Sequence, residues 1–566
     1  MSRKLAIAIS GAVSLGSYEA GVMYEVLEAI AKYNEKEDEK DEPNRIEIDV
    51  ITGASAGGMT AGILAQKLLC DGNSLRKPYT NPLYKSWVQD VDIEKLLDKP
   101  REKYKFSLLS SRVVESIGEE CIENRPLIKE SHSSVASEIY VGIAMSNLNG
   151  WDYIVRPRNV QGDGKFPYTR YKDRFVCRLS KDNQIIELSE MSLLHKKDVG
   201  GGDTDEWVEM EYQKSFPIFD WEILRNCSLS SGAFPFAFEA KKICRYPGKG
   251  EFAGRAVNVY TYTDGGVFEN EPLGLAKKLA EWLDEKAKST DNNANTTNEN
   301  SKHDESSRFY LYVAPGNKNS TANINFGRTR TEQVDLWTTL KSLLSAIFHQ
   351  ARFQDWIIKD LDSESPIFQI TVEDKKLIGE LLFAFAGFLD IRFRHFDYNI
   401  GRESARKALE NFSDNSSNPN LVYWGQDNET DFIWEWTSSD GSETITVNKT
   451  DYENLAANNF IDDLLKKVDY KKRKIIHKAL LARLMALIDF VNEKLDEEDR
   501  KKSVLLGRLI RRLWTFVIVK PTVWTIAGLF LSRKLLRNNI WIIEDILDVI
   551  YEIGNRYRKK LLRSGS

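Results

Sequence analysis

Cysteine and histidine are both scarce in this 566-residue chain, and neither is spaced for chemistry. The five cysteines (Cys70, Cys121, Cys177, Cys227 and Cys244) are scattered, odd in number and never paired as C-x-x-C. That pattern argues against a disulfide framework or a structural zinc site, and for a reducing, cytoplasmic setting. The six histidines form no H-x-x-x-H or H-x-H pair, so a metal-centred enzyme is disfavoured, and neither metal nor cofactor is expected. Fifteen prolines and 34 glycines exclude collagen-like and low-complexity architectures. Long unbroken apolar runs are also missing. The stretch Leu5–Ile9 behind Met1-Ser2-Arg3-Lys4 is too short for a signal peptide and reads as a first strand. Trp514–Leu531 is interrupted at its centre by Lys520-Pro521, which speaks against a simple transmembrane span. G-x-G-x-x-G and the P-loop pattern are absent, so nucleotide binding is disfavoured.

What is present is a globular balance, 42% hydrophobic and 29% charged, with length enough for about three to four units. The net charge of −5 conceals an asymmetry: from Lys466 to the end there are 24 Lys and Arg against 11 Asp and Glu, leaving 55 against 73 elsewhere. An acidic body with a basic, apolar tail points to a polyanionic surface. Arg511-Arg512 and Arg533-Lys534 around Trp514 and Trp524, and the amphipathic stretch Asn539–Tyr557, suit a lipid interface. Packing as a helical accessory domain is the competing reading. Nucleic acid is disfavoured for want of a recognition motif.

Residues 1–110 alternate strand and helix: Leu5–Ile9, helical Tyr18–Tyr33, strand Glu47–Ile51, helical Gly58–Leu69. Such alternation implies an α/β fold with a parallel sheet covered on both faces. Residues 136–262 are richer in strand character. A helix Leu273–Lys286 follows, then a polar insertion over about 289–307, then a strand Phe309–Val313. Beyond 325 the texture becomes helical, with Val334–Leu361 and the apolar Leu377–Leu389 as helix candidates. After a polar gap at 413–420, a hairpin-like stretch carries Trp424, Trp434 and Trp436. The expected divisions are therefore 1–325, 326–412 and 413–566.

Three local patterns carry chemistry. Gly53-Ala54-Ser55-Ala56-Gly57 is a G-x-S-x-G pentapeptide between a strand-like and a helix-like segment, the setting of a nucleophile elbow with Ser55 at its tip. Gly53 and Gly57 flank it because a sharp turn leaves no room for side chains. Ser10–Gly16 links the first strand to the first helix and can turn backbone N–H groups toward an anion, those near Ala12 and Val13 being candidates for an oxyanion hole. An L side chain held there at positive φ would be strained. Asp264, followed by Gly265-Gly266 at a strand end, is a candidate base. His195, His303, His349 and His395 sit in poor places for a triad, so a Ser–Asp pair is preferred, with burial raising the carboxyl pKa.

In order and spacing, Ser10–Val22, Gly53–Gly58, the segment Ser230–Phe238, and Asp264-Gly265-Gly266 with Asn270 and Pro272 resemble patatin-like phospholipases, over about residues 3–320. Phe388–Tyr398 with Gly401-Arg402 is similar to the C-terminal extension of larger bacterial members. The resemblance implies a three-layer α/β/α catalytic domain followed by a mostly helical region. It also implies hydrolysis of lipid acyl esters through an acyl-enzyme, with Ser55 as nucleophile, Asp264 as base and the loop Gly11, Ala12, Val13 and Gly16 as oxyanion hole. Where the family has consecutive glycines and then a cation, this chain has Gly11, Ala12, Val13 and Leu15. The implied partner is a phospholipid or other acyl-ester lipid, with peripheral contact at the inner membrane surface through the basic tail and a homo-oligomer also compatible. A regulated membrane-acting effector, or a lipid-binding protein of weak or no activity on the same fold, is the alternative.

Overall fold

A computed structural model describes residues 3–40, 44–98, 106–124, 130–155, 166–180, 185–190, 207–209, 221–245, 258–294, 308–317, 367–372, 377–413, 435–437, 444–458 and 461–476, with scattered helical positions to 494. The candidate stretches Val334–Leu361, Trp514–Leu531 and Asn539–Tyr557 lie outside these residues. The described residues fall into two compact units, one formed by 1–99 and 109–457, the other by 100–108 and 458–566.

The first unit is built on a ten-stranded sheet. Its strands are β1 (Arg3–Ile9), β2 (Ile46–Gly53), β3 (Val135–Val155), β4 (Phe166–Ser180), β5 (Ile185–Glu190), β6 (Trp207–Glu209), β7 (Lys241–Arg245), β8 (Asn258–Asp264), β9 (Arg308–Asn317) and β10 (Ile367–Val372). The order is β10-β9-β1-β2-β3-β4-β5-β6, with β8 also paired to β3 and β7 to β8. The five strands from β10 to β3 are parallel, and the rest join antiparallel. Parallel strands need helical crossovers, and those helices cover both faces. On one face Ala6, Ala8, Val50, Tyr140, Tyr310 and Tyr312 pack against Leu275, Ala276, Leu279 and Ala280, one side of α4 (Leu273–Ala294). On the other lie α1 (Gly16–Glu37) and α2 (Ala56–Cys70), with α3 (Trp221–Ser231) packed on α2. This is the three-layer α/β/α arrangement expected from the alternation, and the helices run a few residues longer than their periodicity predicts. Helix α4 continues to Ala294, past the start of the polar insertion read at 289.

The sheet and its covering helices extend well beyond residue 325. Strand β10 pairs with β9, and α5 (Ile391–Ser413) packs along α1. The glycines at their crossing let the backbones touch: a Cβ at Gly21 would collide with the carbonyl of Tyr398, and one at Gly401 with that of Tyr18. Buried Glu25 on α1 accepts from Arg402 Nε at 2.6 Å and pairs with Arg406 at 3.0 Å. Helix α1 is consequently buried around nearly its whole circumference, polar residues included. The divisions read at 325 and 412 thus fall inside this unit.

The expected single helix Leu377–Leu389 is instead three short turns, Ile378–Glu380, Leu381–Ala384 and Ala386–Leu389, with positive φ at Leu382 (55°) and Ala384 (66°). Its apolar residues are buried at the two ends, Leu377 and Ile378 and then Ala386 to Leu389, while Leu381, Leu382, Ala384 and Phe385 between them are only partly buried. Further on, Glu435–Thr437 and Thr444–Thr446 form the antiparallel pair β11–β12, followed by α6 (Lys449–Asn458). In the second unit α7 spans Ile461–Lys467, and Arg483 donates to the carbonyl of Leu108. Among the described residues no helix is long and apolar enough to cross a membrane.

Candidate active site

Strand β2 ends at Gly53 and α2 begins at Ala56, so Ser55 occupies the turn between them, at φ 52° and ψ −124°. Positive φ on a serine is uncommon and marks a sharply bent, over-determined backbone. The bend is held on both sides: the Ala54 N–H donates to the Ile9 carbonyl at 3.2 Å, and the Ser55 N–H to Ser231 Oγ at 2.9 Å. Ser231 in turn donates to the Ala144 carbonyl at 2.7 Å, tying the elbow to β3. Gly57, in the first turn of α2, sits so close to β1 that a Cβ would collide with the carbonyls of Ile9 and Ser10. The first N–H groups of α2 lack intrahelical acceptors and make the elbow electropositive.

Asp264 closes β8, where β8 pairs with β3 through Met145. Ser55 Oγ donates to Asp264 Oδ2 at 2.7 Å, although 209 residues separate them in the chain. The other oxygen, Oδ1, accepts the Gly266 N–H at 2.6 Å. The backbone of Asp264 is pinned by its own N–H to the Ala233 carbonyl (3.0 Å) and by Ser146 Oγ, which donates to the Asp264 carbonyl at 2.6 Å. Gly265 and Gly266 form the short 3₁₀ turn that follows. Burial pushes the Asp264 carboxyl up to about 7, against the opposing hydrogen bonds from Ser55 and Gly266.

The loop from β1 to α1 passes over this pair. A Cβ on Gly11 would run into the Asn270 side chain and come within 3.0 Å of Ser55 Cβ, so only glycine fits. Its N–H donates to the Asn270 carbonyl at 2.9 Å, which removes Gly11 from the set of free amide donors. Ala12 lies at φ −142° and Val13 at φ 52°. Among the described residues the N–H groups of Ala12 and Val13 have no acceptor. Gly16 begins α1 against the Trp87 indole, where a side chain would collide. Its place is a packing one.

Of the candidate histidines, His395 is buried between Tyr84 (2.8 Å) and Asn399 (3.3 Å), while His195, His303 and His349 lie outside the described residues. Among the described residues no group of three or more His, Cys, Asp or Glu could hold a metal ion. The two supports have no assigned role in the sequence reading: Ser231 falls inside the Ser230–Phe238 segment that carries the resemblance, and Ser146 has no local signature beyond a small polar side chain.

The profile of the patatin-like phospholipase family matches residues 7–277, the stretch that contains the elbow, the loop and Asp264. This stretch is a patatin-like phospholipase domain. The family places the patatin domain among lipid acyl hydrolases at that level of description. The chain is also 21% identical, over 516 residues, to the uncharacterized protein y4iI of Sinorhizobium fredii; the alignment covers 78% of this chain and 69% of that protein. That similarity runs well past the patatin domain.

Proposed function

We propose that the protein is a serine lipid acyl hydrolase of phospholipase A or esterase type, acting on membrane lipids through an acyl-enzyme without a cofactor. The observation that carries this reading is the 2.7 Å hydrogen bond from Ser55 to Asp264, at a positive-φ elbow facing a helix N-terminus. Asp264 takes the Ser55 proton as Oγ attacks the acyl carbonyl carbon. The amides of Ala12 and Val13 hold the oxyanion. Asp264 then protonates the leaving alcohol, giving the acyl-enzyme. Water then loses a proton to the same carboxylate and attacks the acyl carbon, and as the bond to Oγ breaks, Asp264 returns that proton to Ser55 and the fatty acid leaves. A carboxyl near 7 can serve in both directions, which an ordinary carboxylate does poorly at neutral pH.

An apolar rim supports a lipid over a small soluble ester. Phe236, held at φ 68°, is 80% exposed a few residues from Ala233, whose carbonyl binds the Asp264 backbone. Four residues after Asp264, exposed Phe268 stacks with Tyr171. The basic tail supplies a peripheral contact with an anionic membrane surface in this reading.

The test is hydrolysis of phospholipid vesicles and of p-nitrophenyl butyrate by purified protein. Ser55→Ala and Asp264→Asn should each lower turnover of both at least about a thousandfold, and a fluorophosphonate should label Ser55 alone. Wild-type turnover by Ser55→Ala protein would overturn the assignment.

A further inference from the structure

Outside the elbow, the run Phe393–Arg402 on α5 places Arg394, His395, Asp397, Asn399 and Arg402, all polar or charged, in the interior. Asp397 is wholly buried and accepts the N–H groups of Ile378 (2.9 Å) and Gly379 (2.8 Å), while Arg394, equally buried, donates to the carbonyls of Gly387 (3.0 Å) and Phe388 (3.2 Å). The two side chains therefore grip the two ends of one segment, 378–388. Arg394 also reaches the Val88 carbonyl at 2.8 Å and Asp92 at 3.3 Å, fixing the grip to the body of the unit.

That segment lies on the β1–α1 loop. The Gly387 N–H donates to Ser14 Oγ at 3.2 Å, and Gly379 abuts Leu15, so the residues directly after Val13 are held from outside. Phe385 meets Phe234 edge-on at 5.5 Å, beside the backbone that holds Asp264. Val13 itself is a β-branched residue at positive φ, a conformation that persists only where surroundings impose it. Within the loop, the Leu15 N–H donates to the Ala12 carbonyl at 2.9 Å and closes a turn around Val13, and that turn is braced from outside at Ser14 and Leu15.

We infer that Asp397 and Arg394 are positioning residues for ester hydrolysis: through segment 378–388 and the Gly387–Ser14 bond they hold the Val13 loop in the shape that directs its amides at the reacting carbonyl. This rests on the proposed hydrolase reading and adds to it a role for a helix about 340 residues downstream of the elbow. The turn bond from Leu15 to Ala12 alone leaves a β-branched residue at positive φ, and the clamp adds the outside constraint that holds it there.

The experiment compares full-length wild type with Ser14→Ala, Asp397→Asn and Arg394→Lys on p-nitrophenyl butyrate, with turnover per folded molecule taken from circular dichroism. An acyl trifluoromethyl ketone, whose adduct with Ser55 carries the oxyanion, serves as the second readout. A misplaced donor should cost about ten- to a hundredfold in kcat, with KM unchanged. Ketone affinity should fall by the same factor. Ser14→Ala removes a single hydroxyl and keeps the test alive if the buried-charge variants fold poorly. Wild-type kcat and ketone affinity in folded Ser14→Ala protein, or losses confined to KM or to the folded fraction, would overturn the inference. Ser55→Ala run in parallel separates the two claims: if it retains full activity, the hydrolase reading itself fails.

Discussion

A carboxyl group that keeps its proton up to about pH 7 is a useful base only above that pH, and this sets the expected profile of the Ser55–Asp264 pair. Turnover of a soluble ester should rise through a single inflection near 7 and level off on the alkaline side, as measured by kcat/KM against pH. Stability runs the other way. Because the folded pKa of Asp264 lies above its unfolded value near 4, folding favours the protonated form, and its contribution is full below the unfolded value and lost as pH climbs through about 7. Asp397, pushed up to about 8 by burial, adds a loss of the same sign over a slightly wider window. Asp264→Asn keeps a side chain of the same shape without the buried charge. At pH 8 it should melt several degrees above wild type, the gap narrowing as pH is lowered toward 5, while being catalytically inert. A scanning calorimetry series across that range checks the sign.

At the scale of the element, the elbow was legible because its constraints are local. Strand, turn and helix are adjacent in the chain, and the glycines needed for close approach lie two residues from Ser55. Asp264 was legible for a similar reason, as a strand-end residue with two glycines behind it. The segment after Leu377 was not. Its apolar composition favours a helix, yet its backbone groups are satisfied by Asp397 and Arg394, side chains that only the tertiary fold brings there. Gly11 shows the same limit. Its glycine was expected in an anion-binding loop, but its N–H is taken by Asn270, far along the chain. The α1–α5 crossing gives a direct prediction. Gly21→Val forces a side chain into the Tyr398 carbonyl, and overpacking of this kind costs about 3 kcal/mol, read as a lowered urea midpoint.

At the scale of the whole fold, Arg308 fastens the sheet of the first unit to one of its covering helices. Arg308 on β9 donates to both oxygens of Asp49 on β2 (2.8 and 2.9 Å) and to both oxygens of Asp284 on α4 (2.8 and 2.7 Å). Arg308→Ala would leave the Asp49 carboxylate buried without a counter-charge, a loss of about 3–5 kcal/mol. The double variant Arg308→Met with Asp49→Leu should recover much of it, as chemical denaturation can measure. Charge asymmetry makes a second prediction at this scale. Chain ending before Lys466 should lose co-sedimentation with vesicles rich in anionic lipid, and full-length binding should weaken steeply between low and physiological salt.

The enclosure of α1 also has a temporal consequence. During synthesis the first helix leaves the ribosome more than three hundred residues ahead of α5, the helix that wraps it. At about 5–20 residues per second, that is an interval of roughly 20–70 s. Through that time the nascent chain exposes a flank with no cover of its own, so the N-terminal half is a natural client for holding chaperones, and a message truncated between the two helices yields a product prone to aggregate.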